Sequence, residues 1–414
     1  MTVLMGTVLI LSLIGMTNIK KNHDRMVYEQ YVREKEAEQR RKENKKNLPE
    51  AGAATYKKFT DERSGSLKKV NDTLGRTYKA VEYGEYASFR ALCEAFAAYA
   101  ASYGVELDER TASRIFSAMA AARAVWLRSD SPVYAKAVAL VLKKFFGGGN
   151  RILKISSDVR TPKSLVCIQE NGAHSETILA EELYAARFLK DSITVLAFED
   201  AETCAFDSAF EKFIEYFRAP MSKNSLQMDY YGSLRGYRYI DENMMDISST
   251  TWCVFVTADE KKPLPKGCEA YSVEIYLKGK EKMEGVRGQT AKPIAYSRFR
   301  ELSDEALVTH ALPLDAWKKL DRLEEFLQEK VAFAIGNPIA RQLEKYAAVY
   351  MASGATQMET VDSVLAVKLL PMLRGNKKET FSGDGVTLAE FIDRLFGMEN
   401  LPETHKAMTD LQLD

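Results

Sequence analysis

Three short runs constrain this chain more than anything else in it. Residues 124–127 (AVWL), 192–198 (SITVLAF) and 251–257 (TWCVFVT) are apolar without regular alternation. A strand with one side in water alternates apolar and polar residues, so a continuous apolar run means burial on both faces. Helical patterns stand between these runs, and a further strand pattern covers 272–277. Strands alternating with helices predict an α/β fold with a parallel sheet covered on both sides.

A chain of 414 residues with 46% apolar residues has room for two or three domains and a substantial core, which excludes a disordered protein. Lys plus Arg (58) equals Asp plus Glu (58), so no global charge draws the chain to nucleic acid. Cys93, Cys167, Cys204, Cys253 and Cys268 are far apart, odd in number and without a CxxC pair. That pattern favours reduced thiols over a disulfide framework or a zinc site.

Residues 1–19 carry no charged side chain, and Lys20 and Lys21 follow directly. The run is just long enough to span a bilayer. Positive charge on its C-terminal side predicts a single-pass anchor in the cell membrane with the bulk of the chain cytoplasmic. A cleaved signal or a misplaced start are the competing readings. Residues 20–47 have Glu29 and Arg33, Glu36 and Arg40, and Glu38 and Lys42 at i,i+4 spacing, a charged helical stalk that could also lie against anionic lipid. Residues 48–77, with Pro49, Gly52 and Gly65, read as a linker. An α/β domain is expected over 78–280, a separate helical lid over 281–375, and a tail with one short helix over 376–414.

The functional question concentrates in 115–146, an amphipathic helix, a strand, a loop and a second helix. A strand–loop–helix is where a phosphate loop is usually built, yet the loop, RSDSPVYAK over 128–136, has no glycine. Three glycines do occur at 147–149, but they follow a helix and predict a turn.

The parts in order resemble the AAA+ ATPase module, most closely its McrB-type branch, over roughly 83–375. The residues that carry the resemblance are FSAMAAARAVWL (116–127), the block 193–210, and GNPIARQLEKYAAVYMASG with VDSVLAVKLLPMLRG (336–354 and 361–375). The resemblance implies a five-stranded parallel sheet of the P-loop-NTPase kind, a C-terminal all-helical lid, and membership of a ring or a mixed assembly. It also implies nucleotide-site positions, and each departs from the family pattern. Ser129, Pro132 and Tyr134 stand where glycines belong, Ala135 where the phosphate lysine belongs, and Lys136 where the magnesium-binding hydroxyl belongs. Proline lacks an N–H and tyrosine disfavours positive φ, so the loop is a poor anion nest. The Asp-Glu pair of the family falls on Glu199 and Asp200 in inverted order, and helix capping is the plainer account of two acids there. Asp259 replaces the polar sensor, and Glu269 lies near the place of an arginine offered to a neighbour. Arg341 is the candidate lid arginine, with a surface ion pair as the ordinary alternative.

The expectation is a catalytically inactive, AAA+-like subunit without cofactor, acting beside an active AAA+ ATPase or by self-association. The alternative is an NTPase that hydrolyses ATP or GTP with magnesium through Lys136, Glu199 and Asp200. No histidine or cysteine spacing suggests a metal site, and there is no Gly-x-Ser-x-Gly elbow. Arg235, Tyr237, Arg238 and Tyr239 interleave basic and aromatic residues in a way that could suit nucleic acid. A solvated strand face accounts for them equally well.

Overall fold

In the computed structural model the three apolar runs are strands of one sheet. The structure describes residues 66–74, 81–154, 167–170, 173–199, 225–227, 238–241, 244–257, 268–278, 292–376, 378–381 and 386–413. Residues Ser64–Asp414 group as one compact unit. The expected anchor (1–19) and stalk (20–47) lie outside the described residues, among which no helix is long and apolar enough to cross a membrane.

The first described helix, α1 (Ser66–Leu74), falls within the stretch expected to be linker. It packs on α5 (Ile178–Ala186), with Leu67 fully buried and Asn71 Oδ1 accepting from Tyr184 Oη at 2.8 Å. The linker expectation fails there because a few apolar positions are enough to dock a short helix on a prepared surface.

α2 (Phe89–Ala101) and α3 (Glu109–Ala121) begin at the caps their sequences signal: Ser88 Oγ accepts from Ala91 N at 3.2 Å, and Asp108 Oδ1 from Thr111 N at 2.6 Å. β1 (Ala124–Arg128), α4 (Pro132–Phe145), β2 (Leu153–Lys154) and the β3–β4 hairpin (Cys167–Glu170, Ala173–Glu176) follow. After α5 come β5 (Thr194–Glu199), a small antiparallel sheet of β6 (Ser225–Gln227), β7 (Ile240–Asp241) and β8 (Met244–Asp246), then β9 (Thr251–Thr257) and β10 (Ser272–Tyr276).

The main sheet is five-stranded and parallel throughout, in the order β10–β1–β9–β5–β2. Successive side chains point to opposite faces, so the apolar runs feed two cores at once. Val125, Leu127, Val195, Ala197, Val254, Val256, Val273 and Ile275 join α2, α3 and α4 on one face. Ala124, Trp126, Leu196, Phe198, Cys253 and Phe255 join α1 and α5 on the other. There Phe255 stacks between Trp126 and Phe198, with ring centroids 4.6 and 5.0 Å away, tying three neighbouring strands together.

The C-terminal helices are α6 (Tyr296–Thr309), α7 (Leu314–Val331), α8 (Asn337–Ala352), α9 (Gln357–Val364), α10 (Leu388–Phe396) and α11 (Pro402–Leu411). α9 continues through a π-helical turn at Leu365–Leu369 into a last turn at Leu370–Met372. These helices share one hydrophobic core with the first face of the sheet, in which Leu343, Tyr346, Leu365 and Met408 lie with Phe96, Phe116 and Val125. The helices expected as a lid over 281–375 therefore have no core of their own. α6 falls within the range expected to be helical, whereas α11 is a helix beyond the one short helix expected in the tail. α6 carries its buried residues at Phe299, Leu302 and Ala306, a sparse stripe in a largely polar helix.

Candidate functional site

In an open parallel sheet, ligands bind outside the carboxyl ends of the strands, where neighbouring strands send their connections in opposite directions. Here β1 leads through α4 to β2 on one edge, while its neighbour β9 leads back past β1 to β10 on the other. The crevice position is therefore at the ends of β1 and β9, at Arg128 and Thr257, with Glu199 and Tyr276 closing the neighbouring strands.

The connection from β1 into α4 is three residues, Ser129–Ser131, and not the longer loop over 128–136 that the sequence suggested. Arg128 still pairs in the sheet, and the helix begins at Pro132. Ser131 is its N-cap, its Oγ accepting from Tyr134 N at 3.2 Å, while Ser129 Oγ accepts from Ser131 N at 3.2 Å. Proline is well suited to the first helical position, where its missing N–H would have no intrahelical partner. Tyr134, Ala135 and Lys136 are thus helical residues. Tyr134 is buried, donates from Oη to Glu106 O at 2.6 Å, and has its pKa pushed up to about 12 chiefly by burial. Ala135 is fully buried. Of the first-turn positions, Pro132 has no donor and the Tyr134 N–H is taken by Ser131, which leaves the Val133 N–H for an anion.

Lys136 and Glu199, 63 positions apart in sequence, are brought together as an ion pair, with Lys136 40% and Glu199 21% exposed. The two groups proposed for a rearranged site therefore meet at the strands' C-terminal edge. Asp200 and Asp259 lie outside the described residues. Glu269 sits in the 3-10 turn Cys268–Ala270 ahead of β10, and its side chain lies outside the described features. Arg341 is exposed on α8. Its neighbour Gln342 donates from Nε2 to Ala270 O at 3.2 Å, which puts this turn of α8 beside the start of β10, away from the end of β1.

The arginine from the helical region that does reach the C-terminal edge is Arg374. It grips Glu274 of β10 with two parallel bonds, Nη1 to Oε1 at 3.0 Å and Nη2 to Oε2 at 2.9 Å, and its Nη2 also lies 3.3 Å from Tyr276 Oη. Arg128 donates from Nε to Oε2 of the same carboxylate. Arg128 and Glu274 are 1% and 2% exposed. Burial alone would raise the Glu274 pKa, but the two guanidiniums outweigh it and hold the carboxyl below its ordinary range. Lys368, in the π turn, donates to Ser272 O at 2.7 Å. Sequence reasoning missed this cluster. Its signal was the acid of SVEIY, a charge inside an otherwise apolar strand.

Of the residues that suggested nucleic acid, Arg235 and Tyr237 lie outside the described residues. The Tyr239 ring packs edge-on against Phe188 at 5.0 Å with the Arg187 guanidinium 5.0 Å from its centre, so this aromatic face is already occupied by the protein.

No family model and no curated protein matches the chain. Among solved structures it is similar to a full-length MCM homolog from Methanopyrus kandleri, with 12% sequence identity and a TM-score of 0.34. That likeness covers 67% of this chain and 58% of the other, and it assigns neither family nor activity.

Proposed function

We propose that this chain is an AAA+-like module, of the McrB-type branch, that works without nucleotide turnover as a structural or regulatory subunit beside an active AAA+ ATPase or in self-association. Residues 1–19 would anchor it in the membrane with the remainder cytoplasmic, and nucleic acid is not its ligand. The observation that carries the reading is the start of α4. A proline at the first helical position, a serine cap on the third N–H and a buried tyrosine replace the converging donors that a phosphate needs. The parallel sheet and the helices packed on it support the scaffold, while the carry-over to the family rests on the sequence resemblance. Isothermal calorimetry of the full chain with magnesium-ATP and magnesium-GTP tests it: no binding heat is expected, and micromolar binding of either would overturn it.

A second reading is supported by the Lys136–Glu199 pair. In it Lys136 meets a nucleotide phosphate and Glu199 with Asp200 holds magnesium and orients water for hydrolysis. Phosphate release that is abolished by both Lys136→Ala and Glu199→Gln would establish this reading. Absence of turnover, alone and with an AAA+ partner, would end it.

A further inference from the structure

A carboxylate in the middle of a buried strand is costly unless its charge and both oxygens are compensated. Glu274 stands between Val273 and Ile275 on β10, and both of its oxygens are used. One guanidinium comes from the sheet, at the last residue of β1. The other comes from the segment 365–376, which follows α9 through its π turn. Two arginines converging on one carboxylate, one of them through a two-bond fork, are the means by which proteins hold the phosphates and carboxylates of ligands. In this chain the occupant is one of its own side chains. The cluster adjoins the crevice position, because Arg128 directly precedes Ser129–Ser131. Lys368 fastens the same segment to the backbone at the start of β10.

We propose that Glu274 acts as a resident oxyanion that closes the segment 365–376 onto the β1–β10 edge, so that the helical region is locked to the sheet by the chain itself and needs no added anion. The inference rests on the reading of a scaffold that works without nucleotide, and it states how the helical part of that scaffold is held. A ligand-gated helical region would be released and captured as the ligand leaves and binds. This one is held continuously, which suits a subunit that presents a constant surface to its partners.

Hydrogen exchange by mass spectrometry on the full chain tests the proposal. Glu274→Ala removes the carboxylate and opens a space that acetate or formate can enter. Peptides from 365–376 and 272–278 should exchange on the order of a hundredfold faster, as expected when buried cations lose their partner. Peptides from α2 and α7 should be unchanged. Acetate should restore protection where chloride at the same ionic strength does not. Unchanged protection, a loss spread evenly over the chain, or acetate acting no better than chloride would overturn the proposal. Should Glu274→Ala yield no folded protein, Glu274→Gln keeps the volume, and the same segments should loosen in it; full protection there would equally overturn the proposal. Added magnesium-ATP should leave the protection of 365–376 in the unaltered chain as it was. A rise would count against ligand-independent closure, whereas binding heat without such a rise counts against the proposed function alone.

Discussion

Tyr134 decides between two accounts of the β1–α4 connection, and a single substitution separates them. If the residue were part of an open former phosphate loop, Tyr134→Gly would cost little and would even relax the backbone. The structure instead places its ring in the core at 1% exposure, on the first turn of α4, with Oη donating to Glu106 O at 2.6 Å. Deleting a buried aromatic ring costs about 3–5 kcal/mol. Glycine within a helix adds about 1 kcal/mol, somewhat less at the first turn. The sum expected for Tyr134→Gly is roughly 4–6 kcal/mol. Tyr134→Phe keeps the ring and leaves the Glu106 carbonyl short of a donor, for a loss of about 1–2 kcal/mol. Urea denaturation followed by both fluorescence and circular dichroism reads the two values as shifts in midpoint, provided the two signals coincide. A loss below about 1 kcal/mol for Tyr134→Gly would refute the placement of this residue in the core.

Glu359 closes a capping box at the start of α9, and the Thr356 backbone N–H on its carboxylate lowers its pKa from the ordinary 4.5. A lowered carboxylate pKa contributes stability above 4.5 that disappears as pH falls through the folded value, so Glu359→Gln should weaken the chain at neutral pH and match it in acid. Denaturation midpoints measured against pH check the convergence. At the turn after α4, a Cβ on Gly148 would meet Lys143 Cγ at 2.6 Å and Lys143 O at 2.9 Å, while one on Gly149 meets nothing within 4 Å. Lys143 cannot swing aside, because its Nζ is held by Glu182 at 2.7 Å and by Arg151 O at 2.9 Å. Gly148→Ala should therefore cost about 1–3 kcal/mol and Gly149→Ala less than about 0.5 kcal/mol in the same denaturation assay.

The sheet was legible in the sequence because burial on both faces leaves a local mark. TWCVFVT is a strand over the residues expected, and AVWL is extended by the single residue Arg128. Caps are equally local: Asp108, of a residue type that favours the position, caps the helix it starts. Features that depend on the neighbour were harder to see. The sequence of α6 is mostly polar, and its three buried positions matter only because Phe89, Phe116 and Trp252 stand opposite Phe299. Likewise, residues 66–74 looked like linker because their apolar side chains are few, and they form a docked helix because α5 presents a surface to receive them.

The candidate site divides in the same way. Loss of glycine between β1 and α4 could be read directly, since a converging set of N–H donors requires residue types that are absent. How the connection is built instead required the fold, because Pro132 as the first helical residue and Tyr134 as a core residue depend on where β1 stops and what α4 packs against. Lys136 and Glu199 were both named from the sequence, while their contact follows from β5 lying two strands from β1 in the sheet. Arg374 was hidden for the same reason. Its partner Glu274 is 100 residues away in the chain and Arg128 a further 146 from Glu274, and nothing local marks a pairing over that separation. Periodicity and residue type are properties of neighbouring residues, so the sequence by itself determined that a parallel sheet is buried on two faces and that its first turn is no phosphate cradle. Which charges meet at the end of that sheet depends on strand order and on where the helices return, and only the tertiary structure decided it.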